Sequence, residues 1–239
     1  MININCVPLV SRTQMIEVDR LMIEEFGISL LQMMENAGRN LADLAQSLLG
    51  GYLSHKSVVV FCGGGSNCGG GLAAARHLIN RGADVWVALA VGKLKMKAVP
   101  ATQLSALDRM GAHISSDFPK GDFNLIIDAL IGYGLRGSPR GNVADWITRI
   151  NQLESRVLSL DIPSGMDADK GKAAGACVCA SQTMTLALPK IGMRSDSAKN
   201  LLGDLYLADI SVPEKLLHSL GIETKALFDE GAILRLMYD

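Results

Sequence analysis

Ser57-Val-Val-Val-Phe-Cys-Gly-Gly-Gly-Ser-Asn-Cys-Gly-Gly-Gly-Leu-Ala-Ala-Ala-Arg-His-Leu-Ile-Asn-Arg-Gly82 carries the reading that decides the fold. A β-branched run, Val58 to Phe61, ends in six glycines within the nine residues Gly63 to Gly71. An Ala-rich helical pattern follows at once and closes at Gly82. Strand, glycine loop and helix N-terminus in that order make an anion-binding device. Glycines let backbone N–H groups approach a phosphate, and the helix dipole favours its negative charge. A run of glycines at such a turn costs conformational entropy, which a merely flexible loop does not repay. The loop is neither common phosphate motif. Cys68 stands where G-x-G-x-x-G needs its third glycine, and no Lys-Ser or Lys-Thr follows the last glycine.

Outward from this stretch, short apolar runs alternate with helical patterns. Strands are expected at 57–62, 84–90, 123–131, 156–161, 182–188 and 205–210, with a weaker one at 113–115. Helices are expected at 70–81, 98–110 and 142–152. Runs such as Leu125-Ile126-Ile127 and Val157-Leu158-Ser159-Leu160 lack polar alternation, as strands buried on both faces do. Before the first strand, residues 11–49 read as two helices. Ser11 with Gln14 has capping-box spacing, and Met15, Val18, Met22 and Phe26 recur at helical period. Gly27 stops the first helix, and Ser29 caps a second with Met33, Ala37, Leu41, Leu44 and Leu48 on its apolar face. The expected fold is α/β: a three-layer Rossmann-like, doubly wound, mainly parallel sheet with an N-terminal helical pair, in one domain spanning 1–239.

Composition narrows the function. The 239 residues hold 23 Lys+Arg against 24 Asp+Glu, a balance that argues against a nucleic-acid surface. No apolar run reaches the length of a membrane span, and the N-terminus lacks the pattern of a signal peptide. The odd cysteine count (Cys6, Cys62, Cys68, Cys177, Cys179) points to reduced thiols in a cytoplasm. Cys177 and Cys179 are spaced C-x-C with no partner pair or nearby His, so structural cysteines on a strand are expected there rather than a metal half-site. His55, His77, His113 and His218 form no metal-ligand spacing.

In an open parallel sheet, ligands sit at the carboxyl ends of strands. Three segments qualify: Gly63 to Gly71, Asp128 to Ser138, and Asp161-Ile162-Pro163-Ser164-Gly165-Met166-Asp167. Asp128 and Asp161 each close an apolar run, where a carboxylate is costly unless satisfied. Each suits a hard cation or acid–base work, and a cap on nearby N–H groups is the lesser alternative for Asp128. Gly132, Gly134 and Gly137 form a second backbone cradle. Arg136 either adds charge to it or is a solvated loop residue.

With these residues in view, the chain resembles the NAD(P)H-hydrate epimerase family, the YjeF N-terminal domain, over nearly its whole length. Thr13-Gln14-Met15 with Asp19 is similar to the family's opening helix, and Met33-Met34-Glu35-Asn36-Ala37-Gly38 to its Met-Glu-Asn-Ala-Gly signature. Gly63 to Gly71 resembles its Gly-Pro-Gly-Asn-Asn-Gly-Gly-Asp-Gly loop. Asp128-Ala129-Leu130-Ile131-Gly132-Tyr133-Gly134, Asp161-Ile162-Pro163-Ser164-Gly165 and Leu188-Pro189-Lys190 resemble later motifs.

The resemblance implies an isomerase of metabolite repair that interconverts the R and S forms of hydrated NADH or NADPH. It implies a potassium ion held by Asn67, Asp128 and Ser164, and Asp161 as the proton-transfer residue. The substrate would lie along Ser66, Asn67, Cys68, Gly69 and Gly70, along Gly132, Tyr133, Gly134, Leu135, Arg136, Gly137 and Ser138, and against Asp161. Beside the resemblance, the reduced thiols imply a cytoplasmic protein, the Met-rich N-terminal helices offer an apolar face for a homodimer, and a separate downstream dehydratase is expected, since the chain ends at Asp239 without room for one. This sequence departs from the family loop at Ser66 (Asn), Cys68 (Gly) and Gly70 (Asp). The last removes a carboxylate, so reduced activity is expected. The alternative is a catalytically inactive nucleotide-binding or scaffold member of the same fold. A hydride-transferring dehydrogenase fits less well, because no ribose-binding acid follows the second strand, where Val87 to Gly92 is apolar.

Overall fold

The computed structural model describes residues 1–224 and 226–238; positions 225 and 239 of the expected 1–239 domain lie outside the described residues. In chain order the elements are β1 (Ile2–Asn3), α1 (Arg12–Glu24), α2 (Leu30–Leu48), β2 (Ser57–Cys62), α3 (Ser66–Asn80), β3 (Asp84–Leu89), α4 (Ala98–Arg109), β4 (His113–Ser115), β5 (Leu125–Ala129), α5 (Gly141–Ile150), β6 (Val157–Leu160), β7 (Gln182–Leu186), α6 (Asp196–Leu202), β8 (Asp204–Ala208), α7 (Glu214–Ser219) and β9 (Ile233–Met237). Among the described residues the strands form one sheet in the order β1-β9-β8-β7-β6-β5-β2-β3-β4. Every pairing is parallel except β8 with β9.

The alternation of side chains along β2 explains the layers. Val58 and Val60 pack with Leu41 and Leu44 of α2, Leu72 and Leu78 of α3 and Leu104 of α4. Val59 and Phe61 point the other way, onto Trp146, Ile147 and Ile150 of α5. Ser11 and Ser29 each form a complete capping box, with Gln14 and Gln32, so both N-terminal helices start where local sequence places them. Gly27 follows α1 in the left-handed region, at φ 66°.

The third helix differs from expectation. It begins at Ser66, not at 70, so only Gly63, Gly64 and Gly65 are loop. Gly69 and Gly71 serve close packing instead. A Cβ on Gly69 would lie 2.2 Å from Met34 Sδ of α2, and one on Gly71 2.5 Å from Ala129 Cβ of β5. Gly38 of α2 makes the reciprocal approach, its Cβ position lying 2.4 Å from Ala73 Cβ. Small residues on both helices thus let α2 and α3 meet backbone to backbone. The Cys177 and Cys179 segment is an irregular connection rather than a strand.

The chain runs from β2 to β3 and β4 on one side, then returns to place β5 on the other side of β2. That reversal opens a crevice beyond the carboxyl ends of β2 and β5, the place where such sheets bind ligands.

Candidate active site

A cleft of about 510 Å³ occupies this crevice. Its walls include Gly63 to Asn67 after β2, Leu130 to Gly134 after β5, Asp161 after β6, and Arg12, Met15, Ile16 and Asp19 of α1. Of the expected substrate-binding residues, Ser66, Asn67, Gly70, Gly132, Tyr133, Gly134, Arg136 and Asp161 line it. Cys68 and Gly69 are corrected: both are buried within α3, Cys68 in the core and Gly69 against Met34. Leu135, Gly137 and Ser138 lie on the turn beyond the cleft wall. Gly65 caps α3 with no side-chain hydrogen bond, so the first N–H groups of the helix keep their capacity for an anion.

Asp161 is the most constrained residue of the site. It follows β6 at φ 68°, and the Ile162 N–H reaches back to the Leu160 carbonyl at 2.9 Å, a γ-turn centred on a non-glycine residue. Such a conformation costs about 1–3 kcal/mol and persists where the surroundings enforce it. Here the Asp161 N–H donates to Met184 O at 2.7 Å, Tyr133 N–H donates to Asp161 Oδ2 at 2.8 Å, and Lys190 Nζ lies 2.5 Å from Oδ1. Lys190, fully buried, also donates to Thr185 Oγ1 at 3.0 Å and to the Leu186 carbonyl at 3.1 Å. A buried lysine paired in this way holds the carboxylate in place at the cleft wall. Gly132 permits the approach of its neighbours: a Cβ there would fall 2.9 Å from Asp161 Oδ2 and 3.2 Å from Asn67 Cγ.

The Tyr133 hydroxyl donates to Asp19 Oδ2 at 2.5 Å. Burial pushes the Asp19 carboxyl above its ordinary value, opposed by that hydrogen bond. Burial first and then the Asp19 charge push the Tyr133 phenol up as well, so it stays a donor.

The three expected cation ligands divide. Asp128 and Ser164 meet directly: the Ser164 hydroxyl donates to Asp128 Oδ1 at 2.6 Å and its N–H to Oδ2 at 2.9 Å. Ser159 Oγ and the Leu130 N–H complete the donors around Asp128. Asn67 instead spends its amide nitrogen on the Leu160 carbonyl at 3.1 Å, which leaves its oxygen uncommitted by that bond. Burial pushes the Asp128 carboxyl up despite these four donors. The Asp128 carboxylate and the Ser164 hydroxyl that meets it are oxygen groups of the type that a hard cation takes. Among the described residues, no group of three or more His, Cys, Asp and Glu gathers as a metal site.

Lys190, Asp19 and Arg12 escaped the residue-by-residue reading as site groups. Lys190 had one signal, its place just after the strand-end Leu188-Pro189. Asp19 and Arg12 read only as polar positions on an amphipathic helix.

The chain matches the sequence model of the family described as YjeF-related protein N-terminus over residues 30–192. An NAD(P)H-hydrate epimerase of Dehalogenimonas lykanthroporepellens is 41% identical over 92% of this chain and 89% of that protein. One of Truepera radiovictrix is 40% identical over 83% of this chain and 87% of that protein. A bifunctional NAD(P)H-hydrate repair enzyme Nnr of Moorella thermoacetica is 35% identical over 87% of this chain, which spans 41% of its length. The crystal structure of the yeast protein ynu0 superposes with a TM-score of 0.82 at 23% identity, covering 96% of this chain and all of that one, and so shares the fold. The chain belongs to the YjeF-related N-terminal family.

Proposed function

We propose that the chain is an NAD(P)H-hydrate epimerase, interconverting the R and S forms of hydrated NADH or NADPH in nicotinamide-cofactor repair. The observation that carries the reading is the Asp161 carboxylate, fixed between Tyr133 N–H and Lys190 on the wall of the switch-point cleft. The reacting carbon bears a hydroxyl next to the ring nitrogen. To invert, the hydroxyl leaves as water and water re-adds from the other face, or the ring opens and recloses. The first route delivers a proton to the leaving hydroxyl and takes one back from the adding water; the second moves a proton from the hydroxyl to the ring nitrogen and back, and Asp161 at the cleft wall is suited to carry the proton in either. The uncapped N-terminus of α3 suits the pyrophosphate, and the Gly132–Gly134 turn lies against the ring.

Asn67, Asp128 and Ser164 would hold a potassium ion. When bound, the ion supplies fixed positive charge that offsets the buried Asp128 carboxylate. The five free cysteines fit a reducing compartment such as the cytoplasm. Exposed Ile23 of α1 and Leu31 of α2 offer apolar contact for a homodimer, and a dehydratase would consume the S form. The binding-only alternative is not favoured: relatives at 40–41% identity over most of the chain carry the epimerase name.

Asp161→Asn tests the reading. It keeps the side-chain shape while removing the ionisable group; because it also leaves buried Lys190 without its charge partner, melting curves confirm that the variant is folded. Interconversion of R and S hydrates, followed by NMR, should fall about 10²–10⁴-fold while nucleotide binding persists. Retention of the wild-type rate would remove Asp161 from the mechanism.

A further inference from the structure

Arg12, Met15, Ile16 and Asp19 line the cleft at i, i+3, i+4 and i+7, one face of α1. The start of that helix is anchored beside the Asp161 pair. Arg12 N–H donates to Asp169 Oδ1 at 2.7 Å, and Val10 bridges Lys190 in parallel. Among the described residues, the Arg12 side-chain Nε is buried with no hydrogen-bond partner. A buried charged donor without an acceptor is costly, and native structures rarely leave one without a reason. Seven residues on, Asp19 presents a carboxylate with one oxygen engaged by the Tyr133 hydroxyl. The same Tyr133 holds Asp161 through its backbone N–H, so this wall and the Asp161 wall adjoin.

The chemistry of the missing group follows from the two side chains. Arg12 offers only donors and Asp19, with Tyr133 donating to it, offers an acceptor. Their charges cancel. A neutral group with one acceptor and one donor satisfies both, as a primary carboxamide does. A carboxylate would meet Arg12 but be repelled by Asp19, and an alkyl group would leave the Arg12 donor unmet. In a hydrated nicotinamide, the carboxamide stands across the ring from the hydroxylated carbon, so its partners need not be the groups that touch the reacting carbon.

We propose that Arg12 and Asp19 form the carboxamide subsite of the cleft, Arg12 donating to the amide oxygen and Asp19 accepting from the amide nitrogen, and thereby select a nicotinamide over a nicotinic acid ring. This rests on the reading of the cleft as a hydrated-nucleotide site. The test is calorimetric titration with reduced nicotinamide mononucleotide and with its reduced nicotinic acid counterpart, on wild type, Arg12→Met and Asp19→Asn. R and S hydrate interconversion is followed on the same preparations, and melting curves check folding.

Wild type should bind the carboxamide at least about tenfold more tightly than the carboxylate, as expected for a site that hydrogen-bonds the distinguishing group. Asp19→Asn, which turns an acceptor into a partial donor, should cut that preference about tenfold. Arg12→Met should weaken carboxamide binding about tenfold or more. Arg12→Met keeps the test decisive even if Asp19→Asn melts early, because among the described residues the Arg12 Nε makes no hydrogen bond that the change would break. If wild type binds both nucleotides equally, or both variants keep its affinities while hydrates still interconvert, the subsite is overturned and the enzyme reading survives. If wild type neither binds nor interconverts, the reading of the cleft falls and the subsite with it.

Discussion

The Lys190 ammonium stands 2.5 Å from the Asp161 carboxylate, joining the segment after β7 to the end of β6 inside the protein, with both side chains withdrawn from solvent. The two strand ends share a second feature. Ala187 after β7 lies at φ 62° with its own γ-turn, Leu188 N–H to Leu186 O at 2.7 Å, matching Asp161 after β6. Lys190 bonds that turn through the Leu186 carbonyl, so one side chain braces both.

Lys190→Met should therefore destabilise the fold by about 3–5 kcal/mol, because it leaves the Asp161 charge buried and unpaired. Asp161→Asn in the same chain removes that charge and should recover part of the loss. Urea denaturation of the two single variants and the double variant gives the coupling energy; additive effects would mean that the pair does not act as a unit.

Gly70→Asp restores the family's loop carboxylate. The new Cβ would lie 2.9 Å from Leu160 Cδ2, the end of a flexible side chain, and 3.6 Å from Ala37 Cβ. A small shift of Leu160 accommodates it at a cost of about 1 kcal/mol. The interconversion rate should rise about 10²-fold, the lower end of what a positioned acid–base group supplies. An unchanged rate in a folded variant would show that the missing carboxylate is not what limits this enzyme.

Potassium should matter through Asp128. Activity and melting temperature should be higher in potassium chloride than in tetramethylammonium chloride at equal ionic strength, since the larger cation cannot enter an oxygen-lined site. Asp128→Asn should remove the difference between the two salts. A wild type indifferent to the choice of salt would rule the cation site out.

Glu35 ties three helices together. It accepts from Arg76 at 2.5 Å and lies 2.8 Å from His77 Nε2, both on α3, and accepts from Gln103 of α4 at 3.4 Å. Burial works to raise its carboxyl, but the bonds from Arg76 and His77 outweigh it and hold the group below its ordinary value. A depressed folded value adds stability that is present above the ordinary carboxylate range, about pH 4, and lost as pH falls through the folded value. Glu35→Gln should cost roughly 1 kcal/mol near pH 7, modest because the group is partly solvated. The difference from wild type should vanish in acid; chemical denaturation at several pH values measures it, and a pH-independent difference would assign the loss to packing.

Much of this protein was determined by local chemistry that is visible in the chain. Apolar runs such as Leu125-Ile126-Ile127 carry their burial with them, and the predicted strands from 57–62 to 205–210 appear within a few residues. The capping boxes at Ser11 and Ser29 involve atoms three residues apart, so they too were legible. Asp161 and the polar strand ends stood out because a carboxylate closing an apolar run needs a reason to be there.

What tertiary structure alone decided are the relationships between distant residues. Asp19 meets Tyr133 across 114 residues, and Lys190 meets Asp161 across 29. Neither contact has a local signature, because each depends on which strand lies beside which. The glycines make the same point. Gly63 and Gly69 look alike in sequence, since glycine confers the same freedom in a ligand loop as in a tight helix contact. Only the approach of Met34 to within 2.2 Å of the Gly69 Cβ position shows that this one makes room for a neighbouring helix.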